Sequence, residues 1–449
     1  MPAKTGQQYI AGLKEHPAEV WIRGERVDDV TEHPAFRNGV RSVAALYDLQ
    51  HEPANKSVMT FPSPSSGEPV GISFMVPQTQ EDLEKRRRMM TNWAWEGCGM
   101  MARTPDFLNV SISGWAGSAE FFSGNRPEFG DNVRRYHEHI RETDAGIVVQ
   151  GSRILATLGP ISDEIAVYPT RTHLLGKEAR RQAFSFAVPC STPGLKFICR
   201  ESLDLGRSTF DHPLGARFEE MDALVFFDDV LVPWERVFLL GDVEMCNNYS
   251  GATQSTAHSG QQVVNRCVVK TEFILGLATL MVDALGSGEI PHVQERISEI
   301  VVYLETLKAC IRAAEADAQP NPWGVMCPAQ GPLTAARSLY PSTIYPRLAE
   351  IVQLLGSSSL MALPSEADFE GPIAPELERY LATATSGSRD RVRLFHLAWD
   401  VACSAFGGRQ VLYERFFGGD PVRNAMLTYR AYNRDGAADR VRRFLERDA

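Results

Sequence analysis

The stretch Gly99-Met100-Met101-Ala102-Arg103-Thr104-Pro105-Asp106-Phe107-Leu108-Asn109 puts a cation where a helix is set to begin. Thr104 has the side chain of an N-cap, and Pro105 suits a first helical position. Arg103 then falls just outside a helix N-terminus, where a cation gains nothing from the helix dipole. Two readings stay open: an arginine that contacts an anion or ligand, and an ordinary surface arginine. Near the other end, Phe406-Gly407-Gly408-Arg409-Gln410 sets a glycine pair beside an arginine, and Arg415 and Arg423 follow. Glycines allow close backbone approach, and guanidinium groups suit a phosphate-bearing ligand. The competing reading is an interhelix packing site with surface arginines. Histidines offer less. His137 and His139 lie two apart on a polar helical stretch and do not share a face. His258 stands alone in a helical stretch, where a histidine is more often structural.

The elements that must position these residues change character twice. Residues 1–144 read mainly as helices, with a small hairpin from Val20 to Val27 turning at Arg23-Gly24. Residues 145–242 carry short apolar, β-prone runs: Gly146 to Gly151, Ile154 to Leu158, Ile165 to Tyr168, Ala183 to Val188 and Leu195 to Cys199. This middle part ends in Met221 to Asp242. There Ala223 to Phe227 reads as a buried strand, Asp228-Asp229 breaks it, and Val230 to Val232 resumes it before Pro233. A hairpin-like pair of strands is expected. Residues 243–449 are helical, with long apolar repeats at 259–283 and 292–316 of the kind that pack as a bundle. An α+β chain ordered as helical domain, antiparallel β domain and helical bundle has the acyl-CoA-dehydrogenase-like architecture.

Composition narrows the function classes. The chain has 449 residues, 44% of them hydrophobic, and a formal net charge of −10. No dense basic run is present, which argues against a nucleic-acid partner. No apolar run approaches the ~20 residues that span a bilayer, and the first residues lack the apolar core of a signal peptide. Eight cysteines are scattered with no CxxC pair. That pattern points to reduced thiols in a cytoplasmic protein, with neither a disulfide framework nor a metal site.

Several motifs together carry a family resemblance that runs nearly end to end. They are Trp21-Ile22-Arg23-Gly24-Glu25, Thr31 to Arg37, the Gly99 to Asn109 stretch, Ser191 to Gly194, Met221 to Asp242, Cys246-Asn247-Asn248, His292 to Glu295 and Tyr413 to Arg423. The chain resembles the oxygenase component of the 4-hydroxyphenylacetate 3-monooxygenase family, which includes chlorophenol monooxygenases. The resemblance implies FADH2 supplied by a separate flavin reductase, and molecular oxygen as co-substrate. It implies hydroxylation of a phenol ortho to its hydroxyl through a C4a-hydroperoxyflavin, in a homotetramer or homodimer. Carried over residue by residue, Arg103 would serve flavin and substrate, and Thr157 and Thr170 would face the flavin. His258 would contact substrate or act as a base. Arg409 and Gln410 would reach the FAD tail of a neighbouring subunit.

Two departures qualify this. Phe107 stands where many members have a tyrosine, so a substrate-contacting hydroxyl is lost. Asp144 joins directly to Ala145 where the family carries a segment rich in His, Thr, Asn and Pro, which supplies a catalytic histidine and flavin contacts. The missing strands would leave a sheet edge uncovered. Two alternatives follow: a family member that keeps the scaffold but has lost its flavin cradle, and a lyase resembling 4-hydroxybutyryl-CoA dehydratase. The lyase needs clustered cysteine ligands for an iron–sulfur cluster, and Cys98 has no cysteine four residues on.

Overall fold

The computed structural model describes residues 3–138, 146–168, 179–204, 206–383 and 386–448. In the N-terminal part, Thr79 and Asp82 close a capping box at the head of the helix Gln80–Glu96, which buries Leu83, Arg86, Met89, Met90 and Trp93. The helix Pro105–Gly117 follows, with Thr104 at its N-cap and Pro105 in its first turn. The Thr104 hydroxyl does not cap; it donates to Asp106 Oδ1 at 2.5 Å.

The expected first hairpin is present as β1 (Glu19–Ile22) and β2 (Glu25–Val27), with Arg23 and Gly24 both at positive φ in the turn. A second small hairpin joins β3 (Thr60–Pro62) to β4 (Pro69–Gly71). The middle of the chain supplies β5 (Ile147–Thr157), β6 (Glu164–Val167), β7 (Phe184–Pro189), β8 (Leu195–Cys199), β9 (Asp222–Val232) and β10 (Val237–Leu240). One sheet has the order β2-β1-β8-β9-β5 and the other β10-β7-β6. All pairings are antiparallel except β1 with β8, so the N-terminal hairpin is built into the β layer.

Met221 to Asp242 departs from the expected hairpin. Asp228 and Asp229 do not break the strand: β9 runs unbroken from Asp222 to Val232. A bulge takes them up, with Asp229 at φ 51° and the register against β5 shifting between Val149 and Gly151. Both carboxylates are exposed, and Lys196 pairs with Asp228 at 2.8 Å. The chain then changes sheets, because β10 pairs with β7. Alternation along β9 buries Ala223, Val225, Phe227, Val230 and Val232. β5 is an edge strand. Val148, Ile154 and Leu155 stand exposed on it, beside the exposed Leu224, Phe226 and Leu231 of β9.

The C-terminal part is organised on the 31-residue helix Ser255–Leu285. It packs against Gln80–Glu96, Pro105–Gly117, Pro291–Ala316, Tyr345–Gly356 and Ser388–Ala402. Surrounded in this way, it buries polar as well as apolar side chains, and buried charge must be paired. Arg266 donates to both oxygens of Glu414, at 2.5 and 2.8 Å, and Lys270 donates to Glu414 and to Gln410 Oε1. Gly99, at φ 69°, lies where a Cβ would sit 2.7 Å from the Lys270 backbone nitrogen. Only glycine fits there, and the loop leading to Arg103 is thereby seated on the central helix. Glu414→Ala would leave two buried cations uncompensated, at a cost of about 3–5 kcal/mol. Urea denaturation monitored by circular dichroism is expected to show a loss of that size.

Candidate active site

A cleft of about 1360 Å³ lies between the β layer and the helices. One wall is the end of β5 and the start of β6 (Arg153 to Thr157, Ile165 to Tyr168); the opposite wall is the turn into Pro105–Gly117 with Ser255, Thr256 and Ser259. A second cavity of about 980 Å³, lined by Cys98, Arg217 and Phe273 among others, contains none of the predicted site residues.

Arg103, Phe107 and Thr157 all line the cleft. The Arg103 guanidinium rests against a pair of phenyl rings that touch each other, 4.5 Å from the Phe107 centroid and 4.8 Å from that of Phe417, the two centroids being 5.2 Å apart. Its Nε is buried with no hydrogen-bond partner among the described residues. The backbone beneath it is fixed, because Glu220 Oε1 accepts the N–H groups of Ala102 and Arg103 at 2.6 and 2.8 Å. Thr157 closes β5 and donates its hydroxyl to Asp222 Oδ1 at 2.7 Å. Thr170 lies outside the described residues.

Three further residues singled out in the sequence lie in the interior of the chain. His258 is fully buried and does not line the cleft. Its Nδ1 lies 3.1 Å from Arg86 Nη1 and its Nε2 3.5 Å from Cys327 Sγ, while its ring packs where a Cβ on Gly114 would be. Burial, aided by the Arg86 charge, holds its pKa well below the usual imidazole value. It is a neutral core histidine and is not among the described residues that line the cleft. Arg409 does not reach outward: its Nε and Nη2 donate to Asp222 at 2.9 and 2.7 Å, and its Nη1 donates to Glu220 at 3.1 Å. Gln410 is buried between Lys270 Nζ and the Met100 carbonyl. The carboxylates and carbonyls of their own chain take up the polar groups of both residues.

Glu220, Asp222, Tyr413 and Phe417 were not anticipated. A signal existed for the carboxylates: residues two apart in extended chain share a face, so Glu220 and Asp222 point the same way. For Phe417 the signal was its place at the end of an apolar helix just before Gly418-Gly419. Asp106 adds a titratable group behind Arg103. Burial pushes its carboxyl up to about 6, against hydrogen bonds from Thr104 and Gln262, and its Oδ2 has no partner among the described residues.

The model of the 4-hydroxyphenylacetate 3-hydroxylase C-terminal region matches residues 246–446, and that of the N-terminal region matches 5–145 and 140–239. The chain is 45% identical over 479 residues to the 4-hydroxyphenylacetate 3-monooxygenase oxygenase component of Thermus thermophilus, covering 99% of this chain and 98% of the relative. That span exceeds the 449 residues of this chain, so part of the relative has no counterpart here. The two segments of the N-terminal match overlap over residues 140–145, which include the Asp144–Ala145 junction. The crystal structure of such an oxygenase component with FAD and 4-hydroxyphenylacetate superposes with a TM-score of 0.94 at 45% identity, covering 99% of both chains. An archaeal 4-hydroxybutyryl-CoA dehydratase superposes with a TM-score of 0.84 at 17% identity, covering 95% of this chain and 92% of its own, and shares the fold.

The raised Asp106 carboxyl sets a pH dependence with a definite sign. A buried acid whose pKa is higher when folded contributes most stability below its unfolded value and loses it as pH rises through the folded one. Between about pH 4 and pH 7, wild-type stability is expected to fall relative to Asp106→Asn by on the order of 2–3 kcal/mol. Urea denaturation of both chains across that range, showing parallel pH profiles, would remove the assignment.

Proposed function

The chain belongs to the 4-hydroxyphenylacetate 3-hydroxylase family, and from that premise we propose that its cleft takes a small phenol as the anion, oxygen towards Arg103, and hydroxylates it ortho to that oxygen. It is a FAD-dependent aromatic monooxygenase, the oxygenase component of a two-component system, with molecular oxygen as co-substrate. The observation that supports the substrate reading is the Arg103 guanidinium, held against the Phe107 and Phe417 rings with an Nε that has no partner among the described residues. A cation in that position favours the charged form of a phenol and makes the ring more electron-rich. Phe107 supplies an apolar wall where a hydroxyl would otherwise meet the substrate, which favours a less polar ring.

The cleft fits a flavin together with a substrate. At about 1360 Å³ it exceeds the ~300–1,000 Å³ usual for one ligand. Thr157, with Ala156 and Tyr168, would hold the ring system on the β wall, and Arg103 with Phe107 would orient the phenol on the helical wall. When bound, the flavin supplies the oxygen chemistry, and the protein supplies orientation and shelter from water. A second reading has its own support. Ile154 and Leu155, at the cleft's outer end, are 85% and 53% exposed. Shelter is poorest there, so reduced flavin would be consumed with release of hydrogen peroxide instead of product.

A reductase supplying FADH2 by diffusion and a cytoplasmic location complete the proposal; among the described residues no helix is long and apolar enough to cross a membrane. The division at 144 and 242 into helical, β and helical units is part of it. So is self-association through the C-terminal helices. Pro421–Ala431 exposes Val422, Met426 and Tyr429, and Asp435–Leu445 exposes Val441, Phe444 and Leu445 and buries no residue. Eleven-residue helices are marginal alone, so a second copy is the expected support.

Anaerobic titration with FADH2, then oxygen and a panel of phenols, should yield catechol in excess of peroxide. Arg103→Gln should raise KM for the phenol roughly tenfold or more, about 1.4 kcal/mol, with an unchanged melting temperature. Peroxide as the sole product would replace this reading with the second. Light scattering should give a mass of at least two chains for the full protein, and Val441→Glu with Phe444→Glu should lower it.

A further inference from the structure

We infer that Arg409 is a positioning residue that fixes both walls of the cleft from outside it. The inference rests on reading that cleft as the flavin and substrate site. Arg409 sits on the helix Ala405–Phe417 of the C-terminal bundle and does not line the cleft. Three chains of contact run from it to residues that do. Its Nη1 donates to Glu220 Oε2 at 3.1 Å, and the other oxygen of Glu220 accepts the Ala102 and Arg103 backbone N–H groups. Its Nε and Nη2 embrace Asp222, whose Oδ1 also accepts the Thr157 hydroxyl. Its guanidinium lies 4.2 Å from the Tyr413 ring centroid; Tyr413 stacks on Phe417 at 5.1 Å, and Phe417 faces Arg103.

The geometry explains why an arginine is needed. A fork of donors in a fixed plane holds two carboxylates at once, which a point charge on a flexible stem cannot do. Glu220 is fully buried and Asp222 mostly so, so the Glu220 carboxylate cannot be re-solvated if the fork is lost. Each carries one second duty, towards the backbone of Arg103 or the hydroxyl of Thr157. Arg200 also donates to Asp222 Oδ2, which leaves that carboxylate partly compensated in a variant, while the Glu220 carboxylate keeps the Ala102 and Arg103 N–H donors. A charge-conserving change therefore tests position apart from folding.

Arg409→Lys keeps the charge and removes the fork. Hydrogen exchange in the protein without flavin should show the Ala102 and Arg103 amides exchanging roughly tenfold faster or more, while amides in the middle of Ser255–Leu285 keep wild-type rates. Unchanged exchange at Ala102 and Arg103 overturns the inference, as does a uniform acceleration throughout the chain. FAD affinity gives a second arm. Arg409→Lys and Thr157→Val should each weaken it, and the double variant should lose no more than the worse single one, because both act through Asp222. Losses that multiply overturn the inference. A wild-type protein that binds no FAD would overturn the functional reading of the cleft, and the exchange experiment would still decide the role of Arg409.

Discussion

Charge taken out of water must find charge of the opposite sign, and this chain meets that constraint where its layers join. Arg409 with Glu220 and Asp222 ties the last third of the chain to the β layer. Arg266 and Lys270 with Glu414 tie the central helix to the same helix that carries Arg409. Burial raises the Glu414 carboxyl, yet its two cations bring it down to about 2, and burial takes Lys270 down to about 8. Such clusters need not be more stable than apolar packing of equal volume. They are, however, specific in register. A helix that slid by one turn would strand several charges, so the bundle and the sheet meet in one arrangement, and the cleft between them inherits it.

That dependence explains the division of labour around Arg103. Its side chain is free for a ligand because its backbone is held by others: Glu220 accepts the two amides, and Gly99 lets the preceding turn rest on the Lys270 backbone. The rings of Phe107 and Phe417 pack against the guanidinium without neutralising it. Stacking on aromatic faces suits arginine more than lysine. It leaves a cation that a carboxylate partner would have cancelled.

The layer order and the long helices were legible in the sequence because they rest on local periodicity. So were the first hairpin, with its Arg23-Gly24 turn, and the start of Pro105–Gly117. Asp228-Asp229 was misread because an acid pair resembles a strand break, whereas a bulge turns both side chains to solvent and lets the ladder continue. Sheet partners were not legible, since no local pattern says that β10 leaves β9 for β7. Among the candidate site residues, Arg103, Phe107 and Thr157 line one cleft. His258, Arg409 and Gln410 show what a motif leaves open: it identifies a residue type but not the direction in which its side chain points, and all three point into this chain. Glu220 and Asp222 were passed over because a carboxylate beside a strand reads as solvated until its partner, almost two hundred residues later, is placed.

The two ends of the cleft are built to different standards, and the chemistry they serve differs accordingly. Around Arg103 the walls are buried, stacked or hydrogen-bonded. Around β5 the strand is an edge, with Val148, Ile154 and Leu155 facing outward. An uncovered edge carries unpaired backbone groups and admits water. Orientation of a phenol requires only the first end, because a fixed cation and two rings define where its oxygen and its plane lie. Shelter of the oxygen chemistry requires both ends, because one path for water is enough to divert it. On the proposed reading, substrate recognition and coupling to product are therefore separable in this chain. The first would be set by residues near 103, 107 and 417, and the second by whatever lies over the strand that begins where the family match is broken.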